Sequence, residues 1–388
     1  MEVQEKDNSW WGHWVQGALV LVLLVFLSSG FSDAAALKKP EKVIKRIRGE
    51  SIFALEKALK NNNPFIRSAA IRAAGESRNL ALIPLLRQGS EDTDPMTRLF
   101  ALQSLEKVSP SETLALAVKT LVKDSDKWVR GAALEALGKF GGKEFRPMVR
   151  PFLKDPEKSV RLAAATSLYH LGERRHVLLI LAMLKNEDAG LRYQAIGYLG
   201  KIGTQEVLQR LKNLLEDGNG RIIIYSLKAI GERASMDFFK QLKRLTSHED
   251  PLVRRQAFQT LRHLPAKAKA EIPENACRDV DPLVRIASAV ALNRSGICGE
   301  VFATSLKHED FGVRSAAARV LGEFPHENRL NLLEQALEDP NSRVRTAAVR
   351  AVGMMGGADA FPLLMKMLND PLEVIRAYAA GNLIRLME

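Results

Sequence analysis

Three His-Glu pairs and two cysteines are the residues of this sequence whose types could do chemistry. The pairs are His248-Glu249, His308-Glu309 and His326-Glu327, and the cysteines are Cys277 and Cys298. Imidazoles and carboxylates can bind a metal ion, and thiols can bind zinc or form a disulfide. The cysteines belong to no Cys-x-x-Cys motif or Cys/His cluster, so we predict no structural zinc site. A disulfide and two separate thiols both stay open, although the helical register derived below places the thiols near opposite ends of neighbouring helices.

Motifs of nucleotide-binding proteins and of nucleophilic hydrolases are missing from the sequence. It contains no Walker phosphate loop, no G-x-S-x-G and no G-x-G-x-x-G. The segment Gly218-Asn219-Gly220 follows no strand and lacks a third glycine, so we interpret it as a turn. We therefore predict no catalytic residue, no cofactor and no metal.

An arginine recurs about every 31 residues along most of the chain. The occurrences are Arg67, Arg98, Arg130, Arg161, Arg192, Arg254, Arg285, Arg314, Arg345 and Arg376. One interval is double, and Ile223 stands where an arginine would divide it. The sequence therefore contains eleven units of about 31 residues, and such a period indicates a stack of similar structural repeats.

Apolar and small residues hold fixed positions around each arginine. Around Arg130 they are Val129, Ala133, Leu134 and Leu137, which lie one before and three, four and seven after it. These positions form one face of a helix with 3.6 residues per turn. Six units have glycine at the eighth position, which we interpret as the end of that helix. These glycines are Gly75, Gly138, Gly200, Gly231, Gly322 and Gly353.

A second helix precedes each arginine-bearing helix, and a polar turn separates the two. The turn usually contains an Asp-Pro pair, such as Asp155-Pro156 or Asp281-Pro282, in which aspartate caps the next helix and proline fits its first turn. One such hairpin cannot bury its apolar face alone, whereas stacked neighbours can. We predict an all-α fold, an α-α superhelix or solenoid of about eleven hairpins over residues 50–388, preceded by a basic linker at 37–49.

The repeated motif D-P-x-V-R-x-A-A-x-x-A-L-G resembles that of the HEAT-repeat family, particularly the short HEAT-like repeats also found in phycobilisome lyases. The resemblance covers about residues 50–388. It implies that the turn aspartate and the arginine form a ladder between neighbouring repeats, in pairs such as Asp126 with Arg130 and Asp310 with Arg314. The ten arginines are then structural residues.

Two HEAT-like enzymes suggest alternatives to a non-catalytic function. Deoxyhypusine hydroxylase holds two irons with His-Glu pairs inside its second helices. Here His248 and His308 precede their arginines by six residues and lie two repeats apart, about 20 Å at typical helix spacings, whereas metal–ligand bonds are about 2 Å. We interpret both as charged histidines at helix C-termini. A bilin lyase-like activity has no support beyond the resemblance.

The net charge of +12 favours an anionic partner, and a soluble, well-hydrated surface is the alternative explanation of that charge. The fifth position after the arginine is basic in four units, at Arg72, Lys228, Arg319 and Arg350, and neutral or acidic elsewhere. A nucleic-acid phosphate track should be more continuous, so an acidic protein is favoured over nucleic acid. We predict that the partner binds the concave face of the arginine-bearing helices. The predicted contact residues are Tyr193, Tyr198, Arg319 and Arg350.

Two repeats depart from the pattern. The sixth has neither the turn proline nor the arginine, and the eighth has Pro265 and Pro273 where a first helix should run. Proline interrupts helices, so we expect weaker packing or a bend there. Sequence drift that apolar packing compensates is the alternative.

The N-terminal segment contains an uninterrupted apolar run at 17–27, followed by small residues that include Ala34 and Ala36. The run is short for a membrane span but suits a signal peptide, and the two alanines fit an A-x-A cleavage site. Basic residues after the run favour retention on the cytoplasmic side. Cleavage and export, an anchor with the repeats outside, and an anchor with the repeats inside all stay open. We predict a signal peptide or anchor at 1–36 and an exported, periplasmic or membrane-anchored scaffold.

Overall fold

The computed structural model describes residues 40–119, 121–293, 297–324, 326 and 328–388. The predicted signal peptide or anchor at 1–36 lies outside these residues. The described chain folds into eleven α-helical hairpins. Within this part of the chain, no helix has both the length and the apolar character needed to cross a membrane.

Each hairpin consists of an odd-numbered helix followed by an even-numbered helix that carries the arginine slot. The odd-numbered helices are α1 Pro40–Leu59, α3 Ile83–Gly89, α5 Pro110–Lys119, α7 Arg146–Val149, α9 Val177–Met183, α11 Gln205–Asn213, α13 Phe239–Leu245, α15 Ala266–Ala270, α17 Ile297–Ser305, α19 Arg329–Leu337 and α21 Ala360–Met367. The even-numbered helices are α2 Pro64–Ser77, α4 Pro95–Val108, α6 Lys127–Phe140, α8 Lys158–His170, α10 Ala189–Ile202, α12 Gly220–Ile230, α14 Pro251–Leu261, α16 Pro282–Leu292, α18 Phe311–Leu321, α20 Ser342–Met355 and α22 Glu373–Leu386. The predicted all-α solenoid of about eleven hairpins is confirmed.

Most even-numbered helices begin at an Asp or Asn cap. At the start of α6, the carboxylate of Asp126 accepts hydrogen bonds from the backbone N–H groups of Trp128 and Val129, at 2.8 and 3.1 Å. These N–H groups have no partner within the helix, so the cap satisfies them. In the sixth repeat Asn219 takes this place by accepting from the backbone N–H of Arg221 at 2.9 Å. The turn therefore forms there without the Asp-Pro pair.

The glycines eight positions after the arginine mostly lie inside helices. Helix α6 continues past Gly138 to Phe140, and α10 continues past Gly200 to Ile202. A Cβ at Gly138 would come within 2.6 Å of the Cα of Ser167 on the next even-numbered helix. Glycine is therefore required for close helix packing. The interpretation of these glycines as helix ends is wrong for Gly75, Gly138, Gly200 and Gly353, and only Gly231 and Gly322 directly follow a helix.

The described residues form two compact units. Ser90–Ala317 is one, here called the central unit, and the residues up to Gly89 together with Ala318–Glu388 are the other, here called the terminal unit. In the central unit each even-numbered helix from α4 to α14 packs against the next. The core between them consists of aliphatic residues and alanines, such as Leu134, Ala164 and Leu168, which are fully buried. The burial of this apolar surface is the main force that stacks the repeats.

In the terminal unit the last repeat packs against the first. Helix α22 lies against both α1 and α2. Arg48 donates a hydrogen bond to the carbonyl of Met387 at 2.6 Å, and Asn61 donates to Glu373 at 2.9 Å. The segment 37–49, expected as a linker, is helical from Pro40 onward, and Ile47 within it is buried. The repeat period does not predict this contact.

The eighth repeat has a short first helix and a disulfide. Helix α15 has five residues, and a 3-10 turn, Glu274–Arg278, follows it. This turn packs against α17, and Cys277 in the turn forms a disulfide with Cys298 in α17. The expectation that the two thiols lie apart is wrong, because the shortened helix brings Cys277 beside the first helix of the next repeat.

Candidate binding surface

The ten recurring arginines share one geometry. In each, Nη1 donates to the backbone carbonyls of the residues six and five positions before it, as Arg130 does to Asp124 and Ser125 at 2.9 and 2.8 Å. The other nine repeat this arrangement. The guanidinium therefore closes the turn between the two helices of its own hairpin.

Some of these arginines also bind a carboxylate of the following repeat. The pairs are Arg98–Asp124, Arg130–Asp155, Arg254–Asp279 and Arg345–Asp370, with N–O distances of 2.7, 3.1, 2.8 and 2.8 Å. The implied pairs Asp126–Arg130 and Asp310–Arg314 are wrong, because those aspartates cap their own helices. The ladder acid lies two residues earlier in the turn, and its side chain also accepts a backbone N–H, as Asp124 accepts that of Asp126 at 2.9 Å.

The ladder changes the ionisation of its acids. Burial by itself would raise the pKa of Asp124, but hydrogen bonds from Arg98 and from the backbone of Asp126 outweigh it, so the pKa lies below its ordinary value. Asp279 behaves in the same way next to Arg254. These carboxylates are charged at neutral pH and join the repeats electrostatically.

His248 and His308 occupy the ladder-acid position of their repeats. Each Nδ1 accepts a hydrogen bond from a backbone N–H two residues later, of Asp250 and Asp310, at 3.0 Å. Each imidazole therefore helps to close the turn of its own hairpin, as the carboxylate of Asp124 does in its repeat. The structure brings no cluster of His, Cys, Asp and Glu into a metal-binding arrangement among the residues it describes.

Two of the four predicted contact residues are used inside the molecule. The hydroxyl of Tyr198 on α10 hydrogen-bonds Glu135 on α6, and Lys201 lies 4.8 Å from the centre of the tyrosine ring. Burial raises the pKa of Tyr198 well above its ordinary value, and the charge and hydrogen bond of Glu135 raise it further. Arg350 on α20 binds Glu76 on α2 in a bidentate pair at 2.6 and 3.1 Å. Both side chains therefore have a partner within the chain.

These two contacts belong to a shared arrangement, here called a clasp. Glu135 on α6 binds Lys201 on α10 at 2.5 Å, and the pair passes over α8, where Thr166 is buried. Arg350 and Glu76 likewise come from α20 and α2, the two helices on either side of α22. In both clasps, a residue five positions after one recurring arginine pairs with a residue nine positions after another recurring arginine. One even-numbered helix lies between the two helices that are joined. The helix in between has a small residue in the same slot, Thr166 or Gly381.

Tyr193 forms a surface with a residue of the next repeat. Its ring stacks on that of Tyr225, with centroids 4.6 Å apart and planes at 3°. Lys228 lies 5.3 Å from the centre of the Tyr225 ring. Tyr225 is 37% exposed, and Lys228 is exposed. These three residues on α10 and α12 are here called the tyrosine–lysine patch.

The fourth predicted contact residue, Arg319, is exposed on α18 in the terminal unit.

The sequence prediction missed Tyr225, although its position two after the arginine slot lies on the same helical face as the fifth position. Extending that face with a period of 3.6 residues would have found it. The clasps carried no such signal, because their partners come from repeats that are not adjacent.

The repeated hairpins, the capped turns and the arginine ladder define an α-helical repeat protein. A family model described as HEAT repeats matches residues 81–155, 146–228 and 299–384, and the chain belongs to this family. A search of the curated proteins finds no match to the sequence.

Solved structures of similar fold share little sequence with this chain. An engineered protein is 16% identical, covering 87% of this chain and 99% of its own, with a TM-score of 0.29. The complex of CpcE and CpcF of phycocyanin lyase from Nostoc sp. PCC7120 is 21% identical over 67% and 97%, with a TM-score of 0.35. Human deoxyhypusine hydroxylase in complex with glycerol is 18% identical over 73% and 98%, with a TM-score of 0.29. At these sequence identities and TM-scores, the similarity indicates nothing about the function of this chain.

Proposed function

We propose that this HEAT-repeat chain is a non-enzymatic scaffold or adaptor that binds a protein partner at the cell envelope, through a surface that includes the tyrosine–lysine patch. HEAT repeats commonly mediate protein interactions. The observation that carries the proposal is the stacked pair Tyr193–Tyr225 beside Lys228, on two helices that pack against each other.

The chemistry of the patch suits an acidic partner. Tyrosines supply flat, rigid contact area at low entropic cost, and they are enriched in the buried parts of interfaces. Lys228 adds a positive charge next to the exposed ring, and the net charge of the chain is +12. Arg319 is a further candidate contact in the terminal unit. No second function has a specific observation in its favour.

The envelope location rests on two features. The apolar run at 17–27 with Ala34 and Ala36 suits an export signal or anchor. The disulfide between Cys277 and Cys298 supports an oxidising compartment, where such bonds persist. Cell fractionation with intact mass analysis of the isolated protein tests this, and a reduced chain in the cytoplasm with Met1 intact would contradict export.

Binding is tested with a double variant, Tyr225→Ala with Lys228→Glu, compared with the unaltered chain in chemical cross-linking and affinity capture. The matched control is Phe239→Ala with Lys243→Glu, an aromatic–lysine pair on the odd-numbered helix α13 with the lysine 5.7 Å from the ring centre. We expect the patch variant to lose the partner and the control to keep it.

The same experiment separates the alternatives. A partner that disappears with nuclease, and whose binding falls steeply with salt, would indicate nucleic acid. A coloured covalent product after incubation with a bilin would indicate the lyase-like activity. Equal capture by both double variants would contradict the assignment of the patch.

A further inference from the structure

One carboxylate in the central unit, that of Glu173, lies among basic side chains from two consecutive repeats. It belongs to the turn between α8 and α9, and its side chain is only 10% exposed. Nε and Nη2 of Arg150 donate to one of its oxygens at 3.0 and 2.7 Å, and the imidazole of His176 lies 3.0 Å from the other. Arg146 and Arg175 lie 3.9 and 3.8 Å from the same carboxylate, beyond hydrogen-bond distance. Three guanidinium groups therefore share a single acid.

This acid does not neutralise the group. The hydrogen bonds from Arg150 have the largest effect on the pKa of Glu173 and lower it, burial opposes them, and the hydrogen bond to His176 lowers it further. Glu173 is therefore ionised at neutral pH and carries one negative charge against three positive charges. Arg150 and Arg175 are 54% and 77% exposed, so the remaining positive charge faces solvent.

Basic residues are concentrated in the odd-numbered half of these two repeats. Residues 143–154 include four basic residues and one acidic residue, and residues 173–185 include three and one. In the sixth repeat, residues 204–216 include two of each. The basic Lys243 and Arg244 of the seventh repeat pair with acids of neighbouring repeats. The unneutralised charge is therefore a local feature of the fourth and fifth repeats.

Arg175 stands where other repeats have an acid. Seventeen positions before the recurring arginine, or before the residue that replaces it, four other repeats have Glu144, Glu206, Asp237 and Asp359. These acids lie at the N-terminal ends of odd-numbered helices, where a negative charge is favourable and a positive charge is not. Arg175 is also too exposed to serve packing. Neither helix stability nor packing explains this arginine, whereas an anionic partner does.

We propose that Arg146, Arg150 and Arg175, here called the arginine patch, bind an acidic segment of a protein partner. Planar guanidinium groups match carboxylates, and Arg150 already binds the carboxylate of Glu173 with two of its N–H groups. Leu178, three positions after Arg175, is 67% exposed and offers an apolar contact beside the charges. Two repeats, each roughly 10 Å wide, suit a short peptide segment better than the longer phosphate track of a nucleic acid.

The proposal rests on the proposed function only in taking a protein as the partner. The arginine patch belongs to the odd-numbered half of its hairpins, whereas the tyrosine–lysine patch lies on the even-numbered helices α10 and α12. Each patch is therefore tested by its own variants, and the failure of one leaves the other unaffected.

Fluorescence anisotropy of a labelled decaglutamate peptide, titrated with the full chain at constant ionic strength, tests the patch. The test variants are Arg150→Gln and Arg175→Gln. The matched control is Arg210→Gln on α11, since Arg210 is 52% exposed and also pairs with a glutamate. We expect each test variant to bind the peptide about fivefold more weakly, the size of an exposed charge interaction, and the control to bind normally.

Glu173→Gln should change the affinity in the opposite direction. The amide keeps the size of the side chain but removes the one negative charge that competes with the peptide for the guanidiniums, so binding should tighten by about the same factor. A residue that only held the turn together would not strengthen peptide binding when replaced. The variant with Tyr225→Ala and Lys228→Glu should bind the peptide as the unaltered chain does.

Thermal unfolding without peptide checks that each variant is folded, and Arg175→Gln alone is sufficient because its side chain is exposed. The proposal is overturned by the absence of saturable peptide binding, by unchanged affinity in the folded Arg175→Gln variant, by an equal loss in Arg210→Gln, or by weaker binding in Glu173→Gln. A labelled single-stranded DNA of the same length provides the comparison. If the DNA binds more tightly than the peptide and is lost in the same variants, the patch binds nucleic acid and the proposal is wrong.

Discussion

At the residue scale, one guanidinium performs two tasks in a ladder repeat. The Nη1 group of Arg98 binds the carbonyls of its own turn, while Nε and Nη2 bind the two oxygens of Asp124 in the next repeat at 2.7 Å each. A lysine has no planar fork and could not do both. With an acid such as Asp124 in that position, an arginine can therefore join two repeats as well as close its own turn.

Arg98→Ala and Arg161→Ala separate these tasks. Arg161 binds the carbonyls of its own turn, and the next repeat has Asn186 in the ladder-acid position. Arg98→Ala leaves the nearly buried Asp124 unpaired and should cost roughly 3–5 kcal/mol, whereas Arg161→Ala should cost about 2 kcal/mol. Urea unfolding of both variants checks this, and equal losses would contradict the joining role.

The ladder also predicts a pH dependence. The pKa of Asp124 is lowered in the folded chain, so its pairing contributes stability above the unfolded pKa of about 3.9 and loses that contribution as pH falls through the folded pKa. The stability difference between the unaltered chain and Arg98→Ala should therefore be largest at neutral pH and narrow below about pH 4. Urea midpoints at several pH values measure it. A difference that is constant across this range would refute the assignment.

At the element scale, the sequence predicts the hairpins well and their contacts poorly. The positions of Val129, Ala133 and Leu137 around Arg130 determine a helix locally, and repetition of that pattern implies stacking. By contrast, Gly138 could either end a helix or allow a neighbouring helix to pack closely against it. The position of Ser167, which lies in another repeat, decides between the two. Tyr198 and Arg350 were expected at the surface for the same reason, since their partners are distant in sequence.

Two helical glycines should respond to alanine with opposite signs. In Gly138→Ala the new Cβ meets the backbone of Ser167, so overpacking should destabilise the central unit by about 1–3 kcal/mol. In Gly197→Ala, inside α10, the Cβ meets nothing within 4 Å, and removing the flexibility of glycine should stabilise by about 0.5–1 kcal/mol. Denaturant unfolding decides between them. Two changes of the same sign would mean that the glycines do not serve close packing.

The eighth repeat should depend on its disulfide. Its first helix has only five residues, so the disulfide supplies part of the constraint that holds Cys277 and its turn beside α17. Closing a loop of 21 residues stabilises a fold by about 3 kcal/mol. Reduction should therefore speed amide hydrogen exchange in α16 and α17. A Cys277→Ser, Cys298→Ser double variant is the control, and it should exchange rapidly with or without reductant.

At the scale of the whole molecule, the contact between the first and last repeats covers apolar surface that the ends of a repeat stack usually expose. The end repeats of a stack have one apolar face without a neighbour, and they usually need polar caps. Here α22 and α2 cover each other, and the backbone of Ala73 lies so close to α22 that only glycine fits at position 381. The hydrophobic periodicity of the sequence does not predict the contact between the first and last repeats. It shows which face of each helix is apolar, but not which other helix covers that face.

The clasp between Arg350 and Glu76 should help to hold that contact. Arg350→Glu places two carboxylates together and should weaken it by about 2 kcal/mol, less than for a fully buried pair because both side chains are partly exposed. Hydrogen exchange in α2 and α22 should rise in this variant and should fall again when Glu76→Arg is added. The recovery should be incomplete, since no guanidinium then lies over Tyr378.

Lys201→Glu is the matched control, because it breaks the equivalent clasp in the central unit. It should increase exchange in α6 and α10 and leave α22 unchanged. If the double charge exchange at positions 76 and 350 protects α22 no better than Arg350→Glu alone, the pair does not hold the two repeats together. The contact would then depend on apolar packing and on the glycine at 381.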